Sequence, residues 1–231
     1  MKILITGATK GIGKTIAENL CGEIYAVGRN LEVLKTYNNY FQCDLSKFEE
    51  LQSLGDYIEQ QEIDILINNA GGYVWSNIED MTLESIQNII TTNLTASLYL
   101  ISRAAKNMKQ KKFGRIINIG SISGVMGESG ASSYSASKSG LIGMTKALGL
   151  ELAEYNITVN TINPGWVETE LGSNSIDDSG FSKEEILQTI PQRRFVEPIE
   201  IANLVKYLIS DEAKGITGQS INLCAGLSVG C

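Results

Sequence analysis

Tyr134 and Lys138 stand four positions apart in YSASKSGLIG, residues 134–143. On a helix that spacing puts a phenol and an ammonium one turn apart on the same face. A free phenol keeps its proton up to about pH 10, too tightly for easy exchange at neutral pH. A unit positive charge at about 4 Å, in an effective dielectric of about 20, is worth roughly 4 kcal/mol, or up to about three pKa units before solvation losses. The pair therefore predicts a tyrosine brought towards working pH as an acid or base. A tyrosine with a lysine four residues on is also common on ordinary helices, and the spacing alone leaves both readings open. Histidine is absent from the whole chain. That removes Ser-His-Asp hydrolysis, Cys-His nucleophiles and the usual zinc sites, so no metal is expected and acid–base work falls to Tyr, Lys, Asp, Glu or Cys.

A second constellation opens the chain. ITGATKGIGK follows an apolar run and leads into a helical pattern, the context a phosphate-binding turn requires. Gly7, Gly11 and Gly13, with Ala8, Thr9, Lys10 and Ile12 between them, are spaced GxxxGxG rather than GxGxxG. The physics is shared: glycines let backbone N–H groups approach a pyrophosphate, and a helix N-terminus stabilises its charge. A tight strand-to-helix turn without a ligand would read the same way. The end of the second strand discriminates between cofactors, because a carboxylate there binds the ribose hydroxyl of NAD and an arginine holds the 2′-phosphate of NADP. The sequence at that point is AVGRN, with Arg29 and no acid, and Lys10 supplies a second positive charge. NADP(H) is favoured over NAD(H), the alternative being two solvated surface cations.

The elements that must position these groups alternate along the 231 residues. Strands are expected at 2–6, 23–28, 40–43, 63–67, 115–120, 157–162 and 219–223. Helices are expected at 12–20, 47–60, 83–91, 93–110, 133–154 and 198–210. This is the βαβ rhythm of an α/β protein with a doubly wound parallel sheet of about seven strands and helices on both faces. With no linker, one domain is expected, long enough to bury about three quarters of the surface its unfolded chain exposes. The polar stretch 166–195 breaks the rhythm and reads as a lid or a disordered loop. The basic run KQKK, 109–112, suits a helix C-terminus.

Composition narrows the partners. A formal charge of −7 argues against nucleic acid. The opening MKILITGATK is too short in apolar residues for a signal core or a membrane span. Cys21, Cys43, Cys224 and Cys231 form no CxxC pair or regular framework, and read as reduced thiols of a cytoplasmic protein.

Taken in order, TGATKGIG, CDL, NNAG, TNL, NIGS and YSASK make the chain resemble the short-chain dehydrogenase/reductase family from Met1 to about residue 227. The resemblance implies a Rossmann fold and makes Tyr134 the general acid/base beside Lys138. It makes Ser121 the substrate-orienting serine and Asn93 the holder of a water that relays protons to Lys138; Ser123, Ser132, Ser133 and Ser135 are read as bystanders. It also implies that Asp44, with Leu45, contacts adenine, and that Asn69, Ala70 and Gly71 line the adenosine ribose side. Pro164, Gly165 and Val167 fall near the nicotinamide, and Thr169 towards its carboxamide or the diphosphate. Trp166, Phe181 and Phe195, with the loop between them, either close over the substrate or are packing aromatics, and the residues leave both readings open.

Length and the C-terminal half look most like 3-oxoacyl reductases, which implies an NADP(H)-dependent reduction of a 3-oxoacyl thioester or similar small ketone. Dehydrogenation of a secondary alcohol with NAD is the variant, and a non-catalytic nucleotide-binding scaffold the remote alternative. In such reductases a basic residue before each of two strands helps dock acyl carrier protein. Arg115 matches the first position and Tyr155, after Glu154, stands at the second, so carrier docking is half supported. The helices at 93–110 and 133–154 resemble the family's dimer-forming pair, and a homotetramer is expected. The chain is trimmed near 20–23 and 30–40, at the adenosine end, and finishes in NLCAGLSVGC where relatives often carry an acidic turn.

Overall fold

A computed structural model describes residues 1–170, 172, 176 and 181–229. The expected strands form: β1 (Lys2–Thr6), β2 (Glu23–Gly28), β3 (Asn39–Gln42), β4 (Ile65–Asn68), β5 (Gly114–Ile119), β6 (Ile157–Pro164) and β7 (Ser220–Leu223). They make one parallel sheet in the order β3-β2-β1-β4-β5-β6-β7. Alternate residues of β1 go to opposite faces, as a period of two requires. Ile3 and Ile5 join one core with Ile16, Val205 and Leu208, while Leu4 joins the other with Leu54, Leu100 and Met108. The first core is covered by α1 (Gly11–Asn19) and, late in the chain, the helix Pro198–Leu208. The second is covered by α3 (Phe48–Gln61) and two long helices that follow. Covered on both faces, the central strands are rich in isoleucine and leucine, which is why they read as short hydrophobic runs.

After β1 the chain winds outwards through α1, β2, the short α2 (Leu31–Leu34) and β3, then returns to the other side of β1 as β4. At such a reversal the loops leaving the two central strands diverge and open a crevice beyond their C-terminal ends. Here those loops are the glycine turn after Thr6 and the segment Asn69–Gly71 after Asn68.

The region between β4 and β5 departs from expectation in one respect. Helices α4 (Leu83–Ile90) and α5 (Ala96–Lys111) are joined without a break by a π-helical turn, Thr91–Thr95, with Asn93 at its centre. Threonine and asparagine resist regular helix because they lose side-chain freedom or bond to nearby backbone, and Asn93 is held from the side by Gly72 and Ser137. KQKK ends α5 as expected, with Lys112 in a left-handed cap at φ 51°.

Past β5 come α6 (Ser123–Met126) and α7 (Ser132–Leu152). The buried positions of α7 include Ser137, Lys138, Leu141, Thr145 and Gly149, a stripe of small and polar residues. Thr145 is part of a buried chain in which Asn68 donates to Asn118, Asn118 donates to Thr145, and Thr145 shares a hydrogen with Thr161 at 2.6 Å. This chain ties α7 to β4, β5 and β6, and so fixes where the helix presents Tyr134 and Lys138.

Within 166–195 the described residues include regular structure. Val167 bridges to Val196, and α8 (Lys183–Thr189) is closed by a Ser182/Glu185 capping box. Apart from Ile176, the SNSIDDSG segment lies outside the described residues. The last helix, Pro198–Leu208, is α9. Among the described residues no helix is long and apolar enough to cross a membrane. Cys21, Cys43 and Cys224 are free thiols.

Candidate active site

The crevice is a cleft of about 1160 Å³ running from Arg29 and Asp44 at one end to Ser121 and Tyr134 at the other. The glycine turn forms one wall. Gly7 and Gly11 take φ of +69° and +52°, the left-handed region where a side chain is strained. Lys10 caps α1 with no side-chain hydrogen bond, so the first-turn N–H groups at Gly11 and Ile12 are left for a ligand beside the cleft. Ala8 and Gly13 do not line the cleft. Ala8 is fully buried and its carbonyl accepts from Tyr37. Gly13 supports the turn from behind, where an added Cβ would stand 2.3 Å from both Gly7 O and Asn69 Nδ2. Because one neighbour is backbone, Gly13→Ala is expected to cost about 1–3 kcal/mol. That should appear as a loss of several degrees in Tm, with weakened nucleotide binding in the folded fraction.

At the far end Arg29 is exposed and lines the cleft with Thr9, Asp44 and Leu45. Burial raises the Asp44 carboxyl, but the Ser46 hydroxyl and amide, with Arg29 and Lys47 nearby, outweigh it and hold it below its ordinary range. Lys10 is paired with Glu170 at 2.9 Å across the cleft mouth. Asn69 Nδ2 donates to Thr6 O and Gly7 O, and the Thr6 hydroxyl accepts from the amides of Asn69 and Ala70. This stitching joins the two diverging loops. Gly71, Pro164, Gly165, Val167 and Thr169 also line the cleft.

At the inner end α7 brings Tyr134 and Lys138 to one face, and both line the cleft with Ser121. Asn93 is buried behind them, its amide donating to Gly72 O and Ser137 Oγ and its Oδ1 accepting from Gly72 N. A Cβ on Gly71 would lie 3.2 Å from Asn93 Oδ1 and 3.5 Å from Lys138 Nζ, so the glycine leaves room for the ammonium. All four candidate catalytic side chains thus converge.

The electrostatics reverse one expectation. Lys138 Nζ donates to Ile119 O at 2.9 Å and stands 5.6 Å from the centroid of the Tyr134 ring, over its face. Burial pushes the phenol up to about 12; the Ser121 hydroxyl opposes this and Glu128 adds to it. The protein's own groups therefore keep Tyr134 neutral instead of easing its proton off. Burial also pushes Lys138 down to about 8.

Two further expectations are corrected, and one open reading is decided. Ser123 is no bystander: its amide donates to Ser121 Oγ, its Oγ accepts from Ser121 at 3.1 Å and donates to Glu128 Oε2 at 2.6 Å. Phe195 belongs to the core beneath Trp166, with ring centroids 6.3 Å apart, while Trp166 and the exposed Phe181 do line the cleft. Arg115 is 1 % exposed, stacks on Phe113 and donates to Gly114 O and Asn156 O, so its guanidinium is not offered to a carrier protein. Tyr73, Trp75 and Glu128 also line the cleft. Sequence offered no signal for them, since their loops converge only in the fold.

An all-parallel sheet with this strand order, a glycine turn at its reversal and a Ser-Tyr-Lys cluster beside the cleft define a nucleotide-dependent oxidoreductase. The chain belongs to the short-chain dehydrogenase/reductase family: the model described as enoyl-(acyl carrier protein) reductase matches residues 7–228. The 3-oxoacyl-[acyl-carrier-protein] reductase FabG of Buchnera aphidicola is 39% identical over 97% of this chain and 96% of its own length. Among solved structures, a tryptophan variant of actinorhodin polyketide ketoreductase with NADPH is 34% identical with a TM-score of 0.91, over 99% of this chain and 97% of that one. YwfH, an NADPH dependent reductase involved in bacilysin biosynthesis, is 29% identical with a TM-score of 0.92, over 98% and 97%.

Proposed function

We propose that the protein reduces a ketone to a secondary alcohol with NADPH, the substrate being a 3-oxoacyl thioester or a similar small ketone. The observation that carries this is the convergence of Ser121, Tyr134 and Lys138 at the inner end of the cleft, with Lys138 Nζ 5.6 Å from the centroid of the Tyr134 ring. Ser121 and Tyr134 hold the carbonyl oxygen, and the phenol gives its proton to that oxygen as the alcohol forms. Bound NADPH supplies the hydride. Lys138 sets the positive charge beside the ring, and Asn93, through Gly72 and Ser137, fixes the wall behind it. A phenol held at about 12 suits this direction, because reduction uses the neutral acid and oxidation of an alcohol needs the phenolate. The names of the relatives, oxoacyl reductase and ketoreductase, support the same class of substrate.

The residues present fit a dinucleotide phosphate. The turn at Gly7 and Gly11, the uncapped start of α1 and the exposed Arg29 would receive the pyrophosphate and the 2′-phosphate. The exposed Lys10–Glu170 pair is worth at most about 1 kcal/mol, so a phosphate dianion competes for Lys10. Arg29→Ala is expected to weaken NADPH binding about 10- to 100-fold, the worth of one charge-assisted contact. NADH binding should change little. Titration of both nucleotides against wild type and variant checks this, and equal loss for the two would remove Arg29 from 2′-phosphate recognition. A panel of ketones and 3-oxoacyl thioesters, followed by loss of reduced nicotinamide absorbance, tests the activity. Assembly through α5 and α7 is part of the same reading, supported by Leu98 and Leu150 standing 47% and 85% exposed on those helices.

A further inference from the structure

The substrate end of the cleft holds a carboxylate that the mechanism above does not use. Glu128 sits in the turn between α6 and α7 and lines the cleft with Ser121, Tyr134 and Tyr73. Its Oε2 accepts from Ser123 Oγ at 2.6 Å and its Oε1 accepts from the Tyr73 hydroxyl at 2.8 Å. Ser123 accepts from Ser121 at 3.1 Å, so the carboxylate stands two hydrogen bonds from the serine that holds the substrate oxygen. Tyr73 meets the Tyr134 ring edge-on at 5.1 Å and closes the cluster from the other side. Each carboxylate oxygen can accept more than one hydrogen bond. Among the described residues no lysine or arginine forms an ion pair with Glu128.

A carboxylate so placed acts on whatever lies beside the carbonyl. A neighbouring hydroxyl or ammonium gains a charge-assisted hydrogen bond. An alkyl group there covers the carboxylate without replacing the water it loses, and a substrate carboxylate is repelled. We propose that Glu128 is a specificity-determining residue, selecting ketones that carry a hydrogen-bond donor, hydroxyl or ammonium, on the first or second carbon from the carbonyl. The proposal rests on Ser121 and Tyr134 holding the ketone oxygen, and favours the small polar ketones within the reading above.

The test uses the full chain with NADPH and four ketones of one carbon skeleton. These are the methyl ketone, its hydroxy and ammonium derivatives, and the oxo acid bearing a carboxylate at the same carbon. For wild type, kcat/KM for the two donor-bearing ketones is expected to exceed that of the methyl ketone by about 10- to 100-fold, with the oxo acid poorest. Glu128→Gln keeps the side chain's size and removes its charge, so the ammonium-to-methyl ratio should fall at least about tenfold and the oxo acid should gain. Ratios are the readout because the amide also rewires the Ser121–Ser123 hydrogen bonds. Glu128→Asp, which keeps the charge, should retain the preference should the glutamine variant fold poorly. Ratios unchanged between wild type and Glu128→Gln would overturn the proposal while leaving ketone reduction in place. Failure of wild type to reduce any ketone would instead defeat the reading of function. In that event thermal shifts with the same four compounds still decide the matter: selective stabilisation by the ammonium ketone, lost in Glu128→Gln, supports the carboxylate's role, and equal shifts reject it.

Discussion

Tyr134→Phe lowers kcat for ketone reduction by about 10²- to 10⁴-fold, the usual worth of a positioned general acid, and leaves NADPH affinity within a few-fold of wild type. The substitution removes one oxygen. The ring stays, with its edge contact to Tyr73 at 5.1 Å and Lys138 over its face at 5.6 Å. What goes is the proton that the forming alcohol needs. An alkoxide is roughly as basic as hydroxide, whose parent water has a pKa of about 15.7. A phenol held at about 12 is therefore still the stronger acid, and the transfer runs downhill. The loss should fall on kcat, because the hydroxyl's main interaction is made as charge develops on the substrate oxygen. Steady-state rates with a saturating ketone, beside a fluorescence titration of NADPH, separate the two effects. A variant turning over within about threefold of wild type would show that another group delivers the proton.

The raised phenol also carries a pH signature for folding. Tyr134 ionises near 10 in the unfolded chain and at about 12 in the folded one, so across that interval the folded state retains a proton that the unfolded state has released. Stability attributable to Tyr134 is fully present below pH 10 and falls as pH rises through the window. The phenylalanine variant lacks that fall, which separates loss of the acid from loss of the fold.

What was legible in sequence followed from local chemistry. The alternation of Ile3, Leu4 and Ile5 between two faces, and the glycines at 7, 11 and 13, carry their reasons within a few residues. So does the four-residue spacing of Tyr134 and Lys138, which α7 honours. The π turn was not legible, because its cause is a pair of hydrogen bonds between Asn93 and Gly72, 21 positions away. Arg115 looked like a surface cation because arginine is seldom buried, yet in the central strand β5 its guanidinium finds the carbonyl of Asn156, 41 residues on. Glu128 and Tyr73 are 55 positions apart and meet only because the loops after β4 and β5 fold over the same end of the sheet. The direction of the Tyr134 shift failed for a related reason. Spacing gives the distance to a charge but not the surrounding burial, and here burial is the larger effect.

Lys138→Met should move activity and stability apart. Lys138 is 4% exposed, and burial pushes its ammonium down to about 8 from an ordinary value of 10.5. The unfolded chain therefore binds that proton more tightly than the folded one. Below pH 8 the full penalty for the buried charge is present, and above 10.5 it is gone, so unfolding free energy rises between those limits. At 1.36 kcal/mol per unit the rise is about 3 kcal/mol, and the methionine variant, with an apolar chain of similar length, lacks it. The methionine also loses the Nζ bond to Ile119 O, a cost nearly independent of pH. Since both proteins carry Tyr134 and every other titrating group, the difference between their denaturant midpoints isolates Lys138 and should drift by that amount across the window. Below pH 8, where wild-type Lys138 carries its charge, the variant should reduce ketone at least about 10²-fold more slowly, because the positive charge over the phenol ring is gone. A flat difference in stability would mean that the ammonium is solvated through the cleft and that its burial is not what sets its acidity. A steep one, with activity lost, would show that the fold tolerates a buried charge costing about 3 kcal/mol at neutral pH because the chemistry at Tyr134 requires it.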